Sequence, residues 1–293
     1  MIKSYKVAGL LFQVQMADEH PLWNHMGQYE PFLTQDEDEP IFRLDVVESI
    51  GDPLIRPVYV TPVEPGEPVV NLYSTPEGEW YYEMAPLDTA PVCAVMISSS
   101  DFKSGKVLLE KGRNSLFGLN NSLMLLFAFR TAGMGVLEMH ASVIKYKDRG
   151  YLFLAKSGTG KSTQSQQWLK AIPGASLLND DNPIVRLLPD GTTMVYGSPW
   201  SGKTPCYKND QCPVGAFVRI RRCQENRITP TDIFESYANL YSSSSGFKAD
   251  RDMADGLHKT LEGIVTSVPC YVLDCLPDED AARVCAKGVV KNG

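Results

Sequence analysis

The stretch that decides the fold is Leu154-Ala-Lys-Ser-Gly-Thr-Gly-Lys-Ser-Thr163. It fits the phosphate-loop pattern G-x-x-x-x-G-K-[ST] everywhere except the first glycine, which is Ala155 here. A strand is predicted before the loop, at residues 151–155, and a helix after it, at residues 162–171. Such a loop turns its backbone N–H groups toward phosphate oxygens, and the helix adds its positive end. The sequence therefore predicts a nucleotide-binding loop.

The residues of this loop have separate expected roles. Lys161 supplies a point charge to the β- and γ-phosphates, and the Ser162 hydroxyl is expected to reach Mg²⁺. Farther along, Asn179-Asp-Asp-Asn182 follows a short predicted strand at residues 175–178. Consecutive carboxylates at a strand end suit a metal site, where one holds Mg²⁺ and the other handles a proton. The nucleotide-binding residues predicted from the loop are Lys156, Ser157, Gly158, Thr159, Gly160, Lys161, Ser162 and Thr163.

A hairpin is expected to bring a histidine to the loop. Predicted strands at residues 136–146 and 151–155 are joined by the turn sequence Lys147-Asp-Arg-Gly150, so that residues 146 and 151 should pair. In that register His140 lies opposite Ser157, inside the loop. A histidine at the mouth of a phosphate site is suited to proton transfer.

These motifs jointly resemble the catalytic domain of HPr kinase/phosphorylase. The resemblance rests on Met139-His-Ala-Ser-Val-Ile144, the loop and Asn179-Asp-Asp-Asn182, and it covers residues 130–290. The loop is also similar to that of ATP-dependent phosphoenolpyruvate carboxykinase, which belongs to the same nucleotide-binding class. The resemblance implies a kinase in which Asp180 binds Mg²⁺ and Asp181, beside His140, deprotonates the acceptor hydroxyl; the two acids can exchange roles. The family's glycine after the histidine is Ala141 here, and the N-terminal half does not resemble that of the family.

The predicted fold class is α/β, with a P-loop kinase domain of the HPr kinase and carboxykinase type at residues 116–293. A β-rich domain at residues 1–115 precedes it, because short strand-like runs alternate there with Pro- and Gly-rich turns. An apolar helix is predicted near the boundary, at residues 114–133. Further helices are predicted at residues 231–241, 249–266 and 278–287, and the serines of residues 242–246 are interpreted as a flexible connector or lid tip.

Two more segments are candidates for substrate contact. In Tyr196-Gly-Ser-Pro-Trp-Ser-Gly-Lys203, the residues Trp200, Ser201 and Lys203 either cover phosphate or substrate or form a tight surface turn with Trp200 packed down. Arg219 and Arg221 share one face of a predicted strand at residues 216–222, where they pair either with phosphate or with acids. Arg221 is the one predicted to contact substrate.

Composition narrows the classes of protein. The 293 residues are 43% hydrophobic and 22% charged, as in ordinary globular chains, and the net charge of −7 argues against a nucleic-acid partner. The longest apolar stretch, residues 123–129, is far below the ~20 residues of a membrane span, so no membrane partner is expected. No secretion signal is visible, which predicts a cytoplasmic protein. The seven cysteines contain no C-x-x-C pair and are interpreted as free thiols.

The leading functional prediction is an ATP-dependent kinase that phosphorylates a hydroxyl of a protein, peptide or small molecule, with ATP and Mg²⁺ as cofactors. One alternative is a nucleotide-binding regulator without turnover, and another is a carboxykinase-like enzyme acting on a small acid. The set of His140, Lys161, Asp180 and Asp181 favours the kinase. The sequence leaves open the acceptor, the preferred nucleotide and whether the chain forms a homo-oligomer.

Overall fold

The structure is a computed structural model that describes residues 1–62, 65–202, 204–246 and 250–290. The chain folds as two compact units, Met1–Arg130 and Thr131–Gly293. Each contains a large sheet with both parallel and antiparallel neighbours, and helices accompany both. The predicted mixed α/β class is therefore confirmed. No helix in the described ranges has the length and apolar character needed to cross a membrane.

The first unit is dominated by strands. Its elements are β1 (Ile2–Val7), β2 (Leu10–Gln15), β3 (Leu33–Thr34), β4 (Phe42–Val46), β5 (Arg56–Tyr59), β6 (Val69–Ser74), β7 (Trp80–Ala85), β8 (Ala94–Ser98), β9 (Ser104–Leu109) and helix α1 (Ser115–Thr131), with short 3-10 helices at Pro21–His25 and Gly27–Phe32. Within the described residues the nine strands form one sheet in the order β3-β1-β2-β4-β9-β8-β7-β6-β5. The β-rich character expected of this region is present.

Helix α1 packs on the sheet of the first unit. The Phe127 ring lies 6.3 Å from the Phe12 ring, edge to face, and the Arg130 guanidinium donates a 3.0 Å hydrogen bond to the Ile41 carbonyl. Leu119, Leu123 and Leu126 are fully buried, which agrees with the apolar stripe that predicted the helix. The division between the units falls in the last turn of this helix, after Arg130, whereas the predicted boundary lies at its start, after residue 115.

The second unit alternates strands and helices. Its elements are β10 (Val136–Glu138), β11 (Ala141–Tyr146), β12 (Arg149–Leu154), α2 (Lys161–Ala171), β13 (Ser176–Asp181), β14 (Ile184–Leu187), β15 (Thr193–Tyr196), β16 (Gln211–Arg222), β17 (Arg227–Pro230), α3 (Ile233–Ser243), α4 (Arg251–Ser267), β18 (Cys270–Cys275) and α5 (Glu279–Val289). The predicted start of α4 at residue 249 lies outside the described residues. The main strand order is β10-β14-β15-β16-β12-β11-β13, and β18 pairs with both β16 and β17.

Two apolar cores cover the two faces of this sheet. Residues alternate along β12, so Leu152 and Leu154 join one core while Tyr151 and Phe153 join the other. Helices α3 and α4 supply side chains to the first core, and α2 and α5 supply them to the second. Strands β12, β16 and β18 run parallel in the middle, where both faces are covered. This arrangement holds the loop after β12 at the edge of a rigid layer.

The hairpin register differs from the predicted one. Tyr146 pairs with Arg149, because the turn consists only of Lys147 and Asp148, which both have positive φ as two-residue hairpin loops require. Gly150 belongs to β12, where a Cβ atom would lie 2.4 Å from Val195 Cγ1, so the glycine serves packing and not the turn. The predicted pairing of His140 with Ser157 is therefore wrong. The strand predicted at residues 136–146 is also two strands, β10 and β11, interrupted at His140.

Candidate active site

A glycine loop connects β12 to helix α2, as the sequence predicts. Gly158 and Gly160 have φ of +72° and +130°, a region that side-chain-bearing residues rarely adopt. The Arg222 guanidinium donates to the carbonyls of Thr159, at 3.0 Å, and of Gly158. These hydrogen bonds hold the loop from the C-terminal end of β16, and their only signal in the sequence is a basic residue on a predicted strand.

Lys161, the first residue of α2, points its ammonium group at the end of the loop nearest His140. Its Nζ lies 2.7 Å from His140 Nε2 and 3.5 Å from the Ala155 carbonyl oxygen, and only 8% of the residue is exposed. Burial lowers the pKa of Lys161, and the charge of Arg219 acts in the same direction, while Asp181 and Asp180 oppose it. The cation is thus held close to two carboxylates and a second cation.

His140 reaches the loop mouth although the predicted register is wrong. Its backbone N–H donates a 2.7 Å hydrogen bond to the Ser243 carbonyl, and its Nε2 lies 3.0 Å from Asp181 Oδ1. The same nitrogen is therefore within reach of Lys161 and Asp181 but can serve only one of them at a time. As an acceptor it takes a hydrogen bond from Lys161, and as an N–H donor it gives one to Asp181.

Asp181 is held in a strained backbone conformation. It lies at the end of β13, its φ is +122°, and it pairs with Ala141 on one side and bridges to Ser201 on the other. Gly202 passes so close that a Cβ atom there would lie 3.0 Å from Asp181 Cβ. Unfavourable φ values for residues other than glycine persist only where the surroundings fix them, and they concentrate at functional sites.

Asp180 and Ser162 form a second polar group beside the first. The Ser162 hydroxyl donates to Asp180 Oδ1 at 2.9 Å, and Asp180 is 2% exposed. Asp180 Oδ2 is buried without a hydrogen-bond partner among the described residues. In those residues no three His, Cys, Asp or Glu side chains cluster as a metal site. A hydroxyl and a carboxylate with an unused oxygen suit Mg²⁺, which commonly takes one or two protein ligands and completes its shell with phosphates and water.

Glu138 is an acidic residue of this region that the sequence did not single out. It is 1% exposed, its Oε1 accepts a 3.5 Å hydrogen bond from Ser245 Oγ, and its Oε2 has no partner in the described part of the chain. Burial raises the pKa of Glu138 to about 8, and the charge of Asp181 adds to the shift. The only signal in the sequence is a charged residue inside an otherwise apolar strand, two positions before His140.

The serines after α3 are bound to this region and do not form a free connector. Met139 bridges to Ser244, and the Ser245 N–H donates to the Glu138 carbonyl at 2.9 Å. The Ser243 hydroxyl accepts a 3.3 Å hydrogen bond from Arg219 Nη1. These contacts place α3 and β16 at the same end of the loop as His140.

The predicted substrate residues have different surroundings. Trp200 is 4% exposed, and its carbonyl accepts hydrogen bonds from Asn179 and Ser198, which agrees with the packed-down alternative. Ser201 Oγ donates a 2.9 Å hydrogen bond to the Asp180 carbonyl, so the segment around Ser201 stabilises the backbone of the acid pair. Arg221 Nε lies 3.3 Å from Asp274 Oδ1, so this arginine pairs with an acid. Lys203 lies outside the described residues.

The outer part of the glycine loop borders a cavity of about 420 Å³. Lys156, Ser157, Gly158 and Thr163 are exposed along the loop. The cavity walls include Gly160 of the loop and the apolar side chains Ile220, Leu276 and Pro277. Its size falls within the usual range of small-molecule sites.

The chain is similar to known proteins in structure. No protein-family model matches the chain, and no curated protein does. Among solved structures, the Hpr(Ser) kinase/phosphatase from Coxiella burnetii matches over 51% of this chain and 86% of that chain, with 11% identity and a TM-score of 0.33. A match with so low a TM-score carries no functional argument, so function must be inferred from the site itself.

Proposed function

We propose that the second unit is a P-loop phosphotransferase of the HPr kinase type, which moves the γ-phosphoryl group of ATP to a hydroxyl acceptor. The observation that carries this proposal is the convergence on His140 Nε2, with Lys161 at 2.7 Å and Asp181 at 3.0 Å, at one end of the glycine loop. A phosphate-binding cation and a carboxylate base thus each lie within hydrogen-bond reach of the same imidazole nitrogen, an arrangement that suits phosphoryl transfer.

The nucleotide would lie along the loop. The backbone N–H groups of residues 156–163 and the start of α2 bind the phosphates, and Lys161 adds its charge. The cavity beside Ile220 and Leu276 receives the nucleoside, because it is apolar and borders the loop away from His140. The motif resemblance to HPr kinase/phosphorylase agrees with this placement.

Ser162 and Asp180 would hold Mg²⁺. The fit rests on the buried Asp180 Oδ2, which has no partner among the described residues, and on the adjacent Ser162 hydroxyl. When bound there, the ion neutralises charge on the phosphate oxygens. Asp180 is the more suitable metal ligand because it is buried against Ser162, and Asp181 is the more suitable base because it contacts His140.

In the transfer step, Asp181 accepts the proton of the acceptor hydroxyl. The hydroxyl oxygen bonds to the γ-phosphorus while the bond from that phosphorus to the bridging oxygen breaks, so ADP leaves with the bonding electrons. The proton stays on Asp181 until the product departs.

His140 contacts both the lysine that would bind phosphate and the carboxylate that would act as the base. Its Nε2 accepts from Lys161 when no phosphate competes for the ammonium group. Phosphate oxygens would draw the ammonium away, because a charged acceptor forms the stronger hydrogen bond. The neutral imidazole then changes tautomer: it releases the Nδ1 proton to water and takes one from water at Nε2, and the Nε2–H group donates to Asp181 and orients the carboxylate. Nucleotide binding would thereby prepare the base.

The test is the transfer of label from γ-labelled ATP. Wild-type protein, Mg²⁺ and labelled ATP are incubated with a lysate or with candidate peptides, and products are identified by mass spectrometry. Lys161→Ala should abolish labelling and weaken ATP binding by about ten- to a hundredfold, since a charged hydrogen bond contributes about 1.5–3 kcal/mol. Lys170→Ala, which removes an exposed lysine from the same helix, is the control. Unchanged ATP affinity of Lys161→Ala in calorimetry would refute the proposal.

A further inference from the structure

Arg219 is a half-buried cation that lacks an acidic partner. It lies on β16 between Leu154 of β12 and Val272 of β18, and the one hydrogen bond of its guanidinium in the described residues goes to the neutral Ser243 hydroxyl. It forms no ion pair with any Asp or Glu of the described ranges. Burial lowers the pKa of Arg219, because the guanidinium is partly removed from water.

The two other arginines at this end of β16 are differently engaged. Arg221 lies 3.3 Å from the carboxylate of Asp274, and Arg222 binds the carbonyls of the glycine loop. Their contacts explain why each cation is present. Arg219 contacts only a neutral serine hydroxyl, which compensates a partly buried charge less well than the carboxylate does for Arg221.

The position of Arg219 places it at the transfer end of the loop. Ser243 accepts from Arg219 through its side chain and from the His140 N–H through its carbonyl, so both residues meet on Ser243. The charge of Arg219 also acts on Lys161. Two cations of one site repel each other unless an anion lies near both, and the carboxylates of Asp181 and Asp180 act on Lys161 but form no ion pair with Arg219. The anion that the proposed function supplies at this place is the transferred phosphoryl group.

We propose that Arg219 is a further catalytic residue, which binds the oxygens of the phosphoryl group as it passes from the nucleotide to the acceptor. This inference rests on the proposed function and names a contact that neither the loop motif nor the acid pair provides. The planar guanidinium presents several donors at once, so it can bind two phosphoryl oxygens while it retains Ser243. Lys161, His140 and Asp181 would then lie around the same group.

The expected effect is on the transition state more than on nucleotide binding. Removal of one donor from a preorganised anion site typically lowers the rate by about 10²–10³-fold. Arg219→Ala should show this loss in ADP formation at saturating Mg-ATP. Its affinity for Mg-ADP should stay within about threefold, but aluminium fluoride, which mimics the phosphoryl group in transfer, should no longer tighten that binding.

The experiment measures ADP formation and Mg-ADP binding with and without aluminium fluoride. Arg227→Ala removes an exposed arginine that is paired with Asp274 and is the charge-matched control. Added guanidinium should partly restore Arg219→Ala, whereas Arg219→Lys should remain impaired because it lacks the planar fork. These results, with an unchanged melting temperature, support the proposal.

Two results would overturn it. Aluminium fluoride that tightens Mg-ADP binding equally in Arg219→Ala and Arg227→Ala would show that Arg219 does not contact the transferred group, although the proposed function would stand. Wild-type protein that fails to bind Mg-ATP would refute the proposed function and this inference with it. If Arg219→Ala does not fold, the same comparison is made with Arg219→Lys, which retains the charge.

Discussion

The two units are both built on large sheets, yet they bury very different side chains. In the described residues of the first unit, the buried polar side chains are Thr75, Ser98 and Ser122, none of them acidic or basic. The second unit buries Glu138, Lys161 and Asp180, and all three belong to the region of the glycine loop. The first unit is held by stacked rings, such as Phe12 on Phe42 at 5.1 Å.

This difference supports the proposal that the functional site lies in the second unit. Burial of a charged group is strongly unfavourable unless partners or a ligand compensate it, so stability alone favours the pattern of the first unit. The second unit retains the buried oxygens Glu138 Oε2 and Asp180 Oδ2 without a partner in the described part of the chain. Buried polar oxygens of this kind are expected where a bound ligand or metal ion compensates them, as in the proposed function.

The largest expected effect concerns the histidines of the two units. His140→Ala should lower the rate of phosphoryl transfer by about 10²–10⁴-fold, the usual range for one acid–base group, because Asp181 loses its donor. ATP affinity should change little. His25→Ala in the first unit removes an exposed histidine and should leave the rate unaltered. Equal rates for both variants would remove the functional distinction between the units.

The next effect is on stability and concerns Glu138. Its pKa is raised to about 8 in the folded chain, whereas an unfolded glutamate ionises near pH 4.5. Between these values the unfolded chain binds fewer protons, so the free energy of unfolding falls as pH rises from 4.5 to 8. The free energy of unfolding lost over this range is on the order of a few kcal/mol. Below pH 4.5 no such loss occurs, because the carboxyl is protonated in both the folded and the unfolded chain.

Urea unfolding at several pH values checks this prediction. Glu138→Gln should remove the part of the pH slope that the buried carboxyl produces, and its stability relative to wild type should increase toward pH 8. Glu79→Gln changes an exposed glutamate of the first unit and should keep the wild-type slope. Parallel curves for wild type and Glu138→Gln would mean that the carboxyl is ionised in the folded chain and that its burial is compensated.

The smallest effect concerns packing. Gly150→Ala places a Cβ atom 2.4 Å from Val195 Cγ1 and should destabilise the second unit by about 1–3 kcal/mol, as overpacked cores do. Gly27→Ala in the first unit meets no atom within 4 Å and is the control. Equal thermal stability of the two variants would contradict the register described here.

The sequence predicted local features better than positions set by packing. The glycine loop, helix α1 and the acid pair were predicted because each has a local signature. The hairpin register was wrong because Gly150 resembles a turn residue, while its actual constraint is contact with Val195 on another strand. Ala8 and Gly9 likewise form the turn between β1 and β2 with positive φ, which is unusual for alanine and has no local signature in the sequence.

In the candidate site too, the sequence does not predict contacts that depend on tertiary packing. Strand alternation placed Arg219 and Arg221 on one face, but only the tertiary contacts with Ser243 and Asp274 distinguish them. Glu138 has no local signature, because its importance depends on burial beside Asp181 and Ser245. His140 was predicted at the loop mouth from a wrong register, and the structure brings it there through the Ser243 carbonyl.

The most direct test of the central claim compares Asp181→Asn with wild type for Mg-ATP binding and for phosphoryl transfer. The amide keeps the shape of the side chain but cannot accept the acceptor proton, so affinity should be retained while transfer falls by about 10²–10⁴-fold. Asp148→Asn, an exposed turn substitution, should behave as wild type. Undiminished transfer by Asp181→Asn would contradict the assignment of Asp181 as the base and the mechanism built on it.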